Sequence, residues 1–194
     1  NNGAAVFPAL ANLTLAGDTT IGGNGRWDLR SPVTSDPTQA SLSTGGHDYN
    51  LTKVGPNQVG LVGVTVDPAL GDIDVQGGIL SIEAATTGLG DPTDTLTVEG
   101  TGSLQFYQMA NPLNKKMALE DGSTVISQSG NNLVTGPVEL DGAVNFFVNS
   151  GGSLTLSNAI TGAGTIVLLG TNTLIETGSD SHSGGTYGEL GIRV

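Results

Sequence analysis

From residue 72 onward the chain repeats one short pattern: a run of alternating apolar residues, a glycine turn, and a second such run. Asp72-Ile73-Asp74-Val75 leads to Gly77-Gly78-Ile79-Leu80-Ser81-Ile82, and Thr95-Leu96-Thr97-Val98 leads to Gly100-Thr101-Gly102-Ser103-Leu104. Met117-Ala118-Leu119 precedes Gly122-Ser123-Thr124-Val125-Ile126, and Val138-Glu139-Leu140 precedes Gly142-Ala143-Val144. Period-two alternation places one set of side chains on one face, as in a half-buried strand, and no segment has a helical period. The units return roughly every 20 to 25 residues, which predicts a solenoid in which each unit buries its apolar face only against the next. The expected fold is all-β, a parallel β-helix (β-solenoid), with a β-sandwich as the second choice. About eight or nine coils spaced about 4.8 Å apart make a rod on the order of 40 Å long.

Composition agrees with a long, thin fold. Glycine supplies 31 of 194 residues, about twice the usual share and without a collagen period. Charged residues make up only 12%, so Thr, Ser, Asn and Gly must cover the surface, while a hydrophobic share of 37% is too high for simple disorder. The net charge of −12 with six scattered basic residues argues against nucleic acid and anionic membrane as partners. Cysteine is absent, which removes disulfides, zinc–thiolate sites and a thiol nucleophile. No apolar run approaches the roughly 18 residues of a membrane span. Asn1-Asn2-Gly3 suits either a start left by removal of a leader or an arbitrary boundary.

The chain reads as a single solenoid domain over residues 1–194. Residues 1–15 form an N-terminal cap or an arm that donates a strand to a neighbour. Leu13-Thr14-Leu15 and Thr19-Thr20-Ile21 are short strands, and residues 31–46, with Pro32, Asp36-Pro37 and Gly45-Gly46, are the most loop-like part. Val59 to Val66 is one strand run, closed by Asp67-Pro68.

Leu156-Ser157-Asn158-Ala159-Ile160-Thr161-Gly162-Ala163-Gly164-Thr165-Ile166, followed by Ser183-Gly184-Gly185-Thr186-Tyr187, resembles the autotransporter-associated β-strand repeat of bacterial surface proteins. The closing Gly188-Glu189-Leu190-Gly191-Ile192-Arg193-Val194 fits that pattern with one extra residue. The resemblance implies a right-handed parallel β-helix, secretion, and a role as a passenger segment or surface fibre. It implies no catalytic residues.

Candidate functional positions fall into three sets. Solenoid ends expose strand edges, so end-to-end association with copies of the same chain is expected at Val6, Phe7, Leu10, Leu13, Leu190, Ile192 and Val194. Trp27, Tyr49 and Tyr107 are candidate carbohydrate contacts, although a lone Trp between charged neighbours also suits a core edge. Asp67, Asp72, Asp74, Asp91 and Asp94 are either solubilising turn residues or oxygen donors for calcium, in a spacing unlike an EF-hand. His47 and His182 read as solvated loop residues, because no Gly-x-Ser-x-Gly or comparable context supplies a nucleophile. Six scattered basic residues also leave a β-helix lyase without its base. The expected function is therefore an extracellular or cell-surface structural protein without catalysis, a fibre subunit or passenger segment. The alternative is a carbohydrate-binding or adhesive module.

Overall fold

The computed structural model describes residues 8–32, 40–149, 151–188 and 192–193. Every regular element among these is a β-strand, and every strand pairing is parallel. The chain is a β-solenoid. The antiparallel pairing that a β-sandwich requires does not occur among the described strands.

The first three turns each carry three strands: β1 (Pro8–Leu10), β2 (Asn12–Thr14) and β3 (Thr19–Gly22); β4 (Trp27–Arg30), β5 (Ala40–Ser43) and β6 (Leu51–Val54); β7 (Gln58–Val62), β8 (Val64–Val66) and β9 (Ile73–Val75). They continue as β10 (Gly78–Glu83) with β11 (Thr95–Val98), β12 (Gly102–Tyr107) with β13 (Lys116–Leu119), and β14 (Thr124–Val134) with β15 (Val138–Leu140). Next come β16 (Ala143–Val148), β17 (Gly152–Leu156) and β18 (Ile160–Gly162), then β19 (Thr165–Gly170) with β20 (Thr173–Glu176), and last β21 (Thr186–Gly188) with β22 (Ile192–Arg193).

The long sheet runs β1-β4-β7-β10-β12-β14-β16-β19-β21, and the second runs β3-β6-β9-β11-β13-β15-β18. A third side is formed by β2-β5-β8 and then, further along, by the end of β14 with β17, β20 and β22. Among the described residues seven turns carry a strand on both main sheets, fewer than the eight or nine coils expected, because the outermost strands of the long sheet, β19 and β21, have no counterpart on the second sheet.

Register explains why the repeat needs no fixed motif. Trp27, Val59, Leu80, Leu104, Val125, Phe146 and Leu168 are successive partners across the long sheet, and all are buried. Leu29, Leu61, Ile82 and Phe106 form a second column beside them. A turn needs only an apolar side chain at each inward position, so Leu, Val, Ile and Phe interchange.

Two parts of the chain differ from the sequence reading. Ala40–Ser43 lies inside the stretch read as a loop, yet it is a strand with Ala40 and Leu42 buried; their alternation is hidden among Ser and Thr. The expected run from Val59 to Val66 is two strands, because Gly63 (φ 64°) turns the corner between them.

That corner recurs on successive turns. The residues following Val62, Glu83, Tyr107 and Ser129 are Gly63, Ala84, Gln108 and Gly130, and all four are left-handed, with φ of 64°, 55°, 48° and 82°. A Cβ in that region costs about 1 kcal/mol. Ala84→Gly is therefore expected to raise stability by up to about 1 kcal/mol, or about 2–4 °C in Tm for a chain of this size. A lower melting temperature for this variant would refute the assignment of strain.

Candidate functional site

The outward positions of the long sheet gather a connected network of polar groups. Because Val59, Leu80, Ile82, Leu104 and Phe106 point inward, Gln58, Ser81, Glu83, Gln105 and Tyr107 must point outward. Arg26, just before β4, reaches across them. Its Nε donates to Asp28 Oδ1 at 2.9 Å and one terminal nitrogen donates to Glu83 Oε1 at 3.1 Å. Asp28 is fully buried, and Arg30 approaches its other oxygen at 3.8 Å. Glu83 Oε1 also accepts from Ser81 Oγ (2.7 Å) and Gln58 Nε2 (3.4 Å), and Ser81 Oγ accepts from Gln105 Nε2 (2.9 Å).

Gly60 sits between Asp28 and Ser81 in the register, and its lack of a side chain makes this convergence possible. A Cβ there would stand 2.6 Å from Asp28 Oδ1 and 3.5 Å from Glu83 Oε1. The result is a groove of about 520 Å³ lined by Arg26, Gln58, Glu83, Gln105, Tyr107 and Gln128.

Arg26 engages both carboxylates, so neither is arranged as a free acid or base. Beyond that ion cluster the groove offers amides and a phenol on an open, sheet-like floor. This chemistry suits hydrogen bonding to hydroxyl groups.

The three aromatic candidates separate. Tyr107 is 37% exposed at the groove. Trp27 is instead the first member of an inward column, only 8% exposed, with its indole N–H donating to Gly22 O at 3.1 Å. Its ring belongs to the core edge and only lines the small apolar pocket at the N-terminal end. Tyr49 lies at a different corner, half-buried and stacked on His47 with ring centres 5.2 Å apart.

The aspartates are mostly occupied by the protein itself. Asp67 ties two turns together by accepting from the backbone N–H groups of Ala69, Thr44 and Gly46, and these bonds pull its carboxyl down to about 2. Asp72 accepts from Thr95 N, Asp91 from Thr93, and Asp74 from Gln76. Among the described residues no three His or acidic side chains come together as a metal site.

The cation near Asp72, Asp91 and Asp94 is Lys115. It is fully buried, and its ammonium donates to Gly71 O (2.8 Å) and Asp91 O (2.9 Å). Burial lowers its pKa, opposed by the charges of Asp94, Asp72, Asp91 and Asp48. Lys53, likewise fully buried, donates to Val54 O, Gly55 O and Gly77 O. Sequence reasoning missed both lysines as structural groups. The signal was present, because Lys53 shares its strand parity with buried Leu51, and Lys115 with Met117.

The two ends of the rod differ. At the N-terminal end Leu10, Leu13, Ile21 and Trp27 line an apolar pocket of about 420 Å³. Ile192 is the partner of Leu174 in β22, while Val6, Phe7, Leu190 and Val194 lie outside the described residues.

At the other end polar groups occupy inward positions: Glu176 follows Leu156 and Thr186 follows Ile166 in the register. His182, expected in solvent, is buried with its Nδ1 against Asp180, because its ring fills the last turn. Glu176 Oε1 has no partner, and burial, reinforced by Asp180, raises its carboxyl pKa. A raised pKa favours the protonated form, so the stabilising contribution is complete below the ordinary carboxyl value and lost as pH rises through the raised one. Glu176→Gln should therefore stabilise the protein by about 1 kcal/mol at neutral pH and by almost nothing near about pH 4. Equal shifts at both pH values in thermal melts would contradict this.

No protein-family model, no curated protein and no solved structure matches the chain.

Proposed function

We propose that this β-solenoid is a secreted, surface-associated scaffold that binds a glycan along the outer face of its long sheet. The observation that carries the reading is the groove in which Gln58, Gln105 and Gln128 present amides beside the open ring of Tyr107. Hydroxyl-rich ligands need paired donors and acceptors together with an apolar ring face, and this surface has both. The pairing of Arg26 with Asp28 and Glu83 favours binding over bond cleavage.

Retention on insoluble polysaccharides and binding to a glycan array test the reading. Tyr107→Ala is expected to weaken binding about tenfold. Failure of the intact protein to bind any glycan would remove the proposal.

A second reading, end-to-end association into a fibre, is favoured by the edges of β1, β2 and β3, which no strand among the described residues covers, around the apolar pocket at Leu10 and Leu13. Light scattering tests it through mass that grows with concentration. An unchanging monomer mass would exclude it.

A further inference from the structure

Among the described residues four large apolar side chains are exposed, and three of them, Tyr107, Phe147 and Tyr187, share the outer face of the long sheet. Their exposures are 37%, 38% and 64%. They are not a random scatter. Phe106 pairs with Ser127 and Ser127 with Val148, which places Phe147 two strands beyond Tyr107 and two residues back along the strand direction. Asn145 pairs with Val167 and Val167 with Tyr187, so Tyr187 lies two strands beyond Phe147 and again two residues back.

The three rings therefore form a straight diagonal with equal steps. Each step combines two inter-strand spacings of about 4.8 Å with two residues of about 3.3 Å, or about 12 Å in all. That is somewhat longer than two pyranose rings in an extended chain, so a polymer follows the line with alternate rings near each platform. In an extended β-linked polysaccharide, alternate rings turn the same face to one side, so a ring platform at every second sugar is the arrangement such a polymer requires.

Charge narrows the ligand further. Arg26, the cation of the groove, is paired with Asp28 and Glu83, and Ile79, Ser103, Thr124, Asn145 and Val167 fill the column between Gln58 and Tyr187 with neutral groups. With a net charge of −12 the chain repels polyanions. We infer that the ligand is a neutral, unbranched, β-linked polysaccharide lying diagonally over Tyr107, Phe147 and Tyr187. This inference rests on the glycan-binding reading above and adds the ligand's linkage, charge and path.

Calorimetric titration with neutral β-linked glucose and N-acetylglucosamine oligomers tests the inference, with Tyr107→Ala, Phe147→Ala and Tyr187→Ala assayed beside the parent protein. Affinity is expected to rise with length and to level off at about five rings, when all three platforms are covered. Each alanine variant should bind the longest oligomer about tenfold more weakly. Lys116→Ala, which breaks an exposed ion pair with Glu139 away from this face, should bind as the parent does.

If Tyr107→Ala weakens binding while Phe147→Ala and Tyr187→Ala do not, the diagonal path is wrong and the groove reading survives. Binding of charged glycans alone would likewise overturn this inference and leave the groove reading. If no glycan binds, both fall. If the protein dimerises and Phe147→Ala or Tyr187→Ala abolishes the dimer, the face takes a second copy of the chain and the polysaccharide is ruled out.

Discussion

Lys115→Met is expected to cost about 3 kcal/mol of stability, or about 10 °C in Tm. The side chain is fully buried and spans successive turns, donating to Gly71 O and Asp91 O. Methionine fills much of the space but leaves both carbonyls without their donor, at about 1–3 kcal/mol for each group left unsatisfied. It also removes the positive charge facing Asp48, Asp72, Asp91 and Asp94, whose mutual repulsion is then uncompensated.

Urea denaturation of the parent and the variant measures the difference. A loss under about 1 kcal/mol would mean that Lys115 is not the counter-ion of this corner. The same reasoning predicts that chelator leaves the parent's melting temperature unchanged, because an ammonium group stands where the acidic turns would otherwise attract a cation.

Arg26→Met is expected to cost a similar amount, about 3 kcal/mol, since it leaves Asp28 fully buried with only the more distant Arg30 nearby. The loss comes from the stranded charge more than from the vanished pair. Adding Asp28→Asn to Arg26→Met should therefore recover most of it, giving a coupling energy well above the scatter of independent sites. Simple additivity of the two substitutions in denaturant unfolding would defeat this account. The double variant also separates folding from binding, because it restores the sheet while leaving the groove without its cation.

The solenoid was legible because its signal is local. Each apolar run, such as Leu154-Thr155-Leu156 or Ile166-Val167-Leu168, declares its inward face through a period of two, and glycines such as Gly122 and Gly142 (φ 81° and 80°) mark the turns between runs. The strand at Ala40–Ser43 was not legible, since Ser and Thr flank its only large apolar residue. The length of β14 escaped for a related reason: after Ile126 the sequence Ser127-Gln128-Ser129-Gly130-Asn131-Asn132 has the composition of a loop. Gly130 bends the strand from one sheet to the next, and the buried amide of Asn132 donates to Ser127 Oγ, Ser129 O and Gly130 O.

What the sequence determined by itself is the coil: the repeat and most of its inward apolar positions follow from alternation and glycine spacing within a window of one turn. What only the tertiary structure decided is which outward residues meet. Arg26, Gln58, Glu83 and Gln105 are separated by some twenty to thirty residues each and become neighbours because stacking converts one turn of chain into one inter-strand step. Turns of unequal length, 32 residues from Trp27 to Val59 but 21 from Val59 to Leu80, keep the inward column aligned, because the connecting loops absorb the difference and the buried face holds the register. The core tolerates many apolar sequences, but the face depends on which residues each strand pairing sets side by side. For that reason Trp27 could be read either as a platform or as core until the turns were stacked, and the line through Tyr107, Phe147 and Tyr187 exists only in the folded rod.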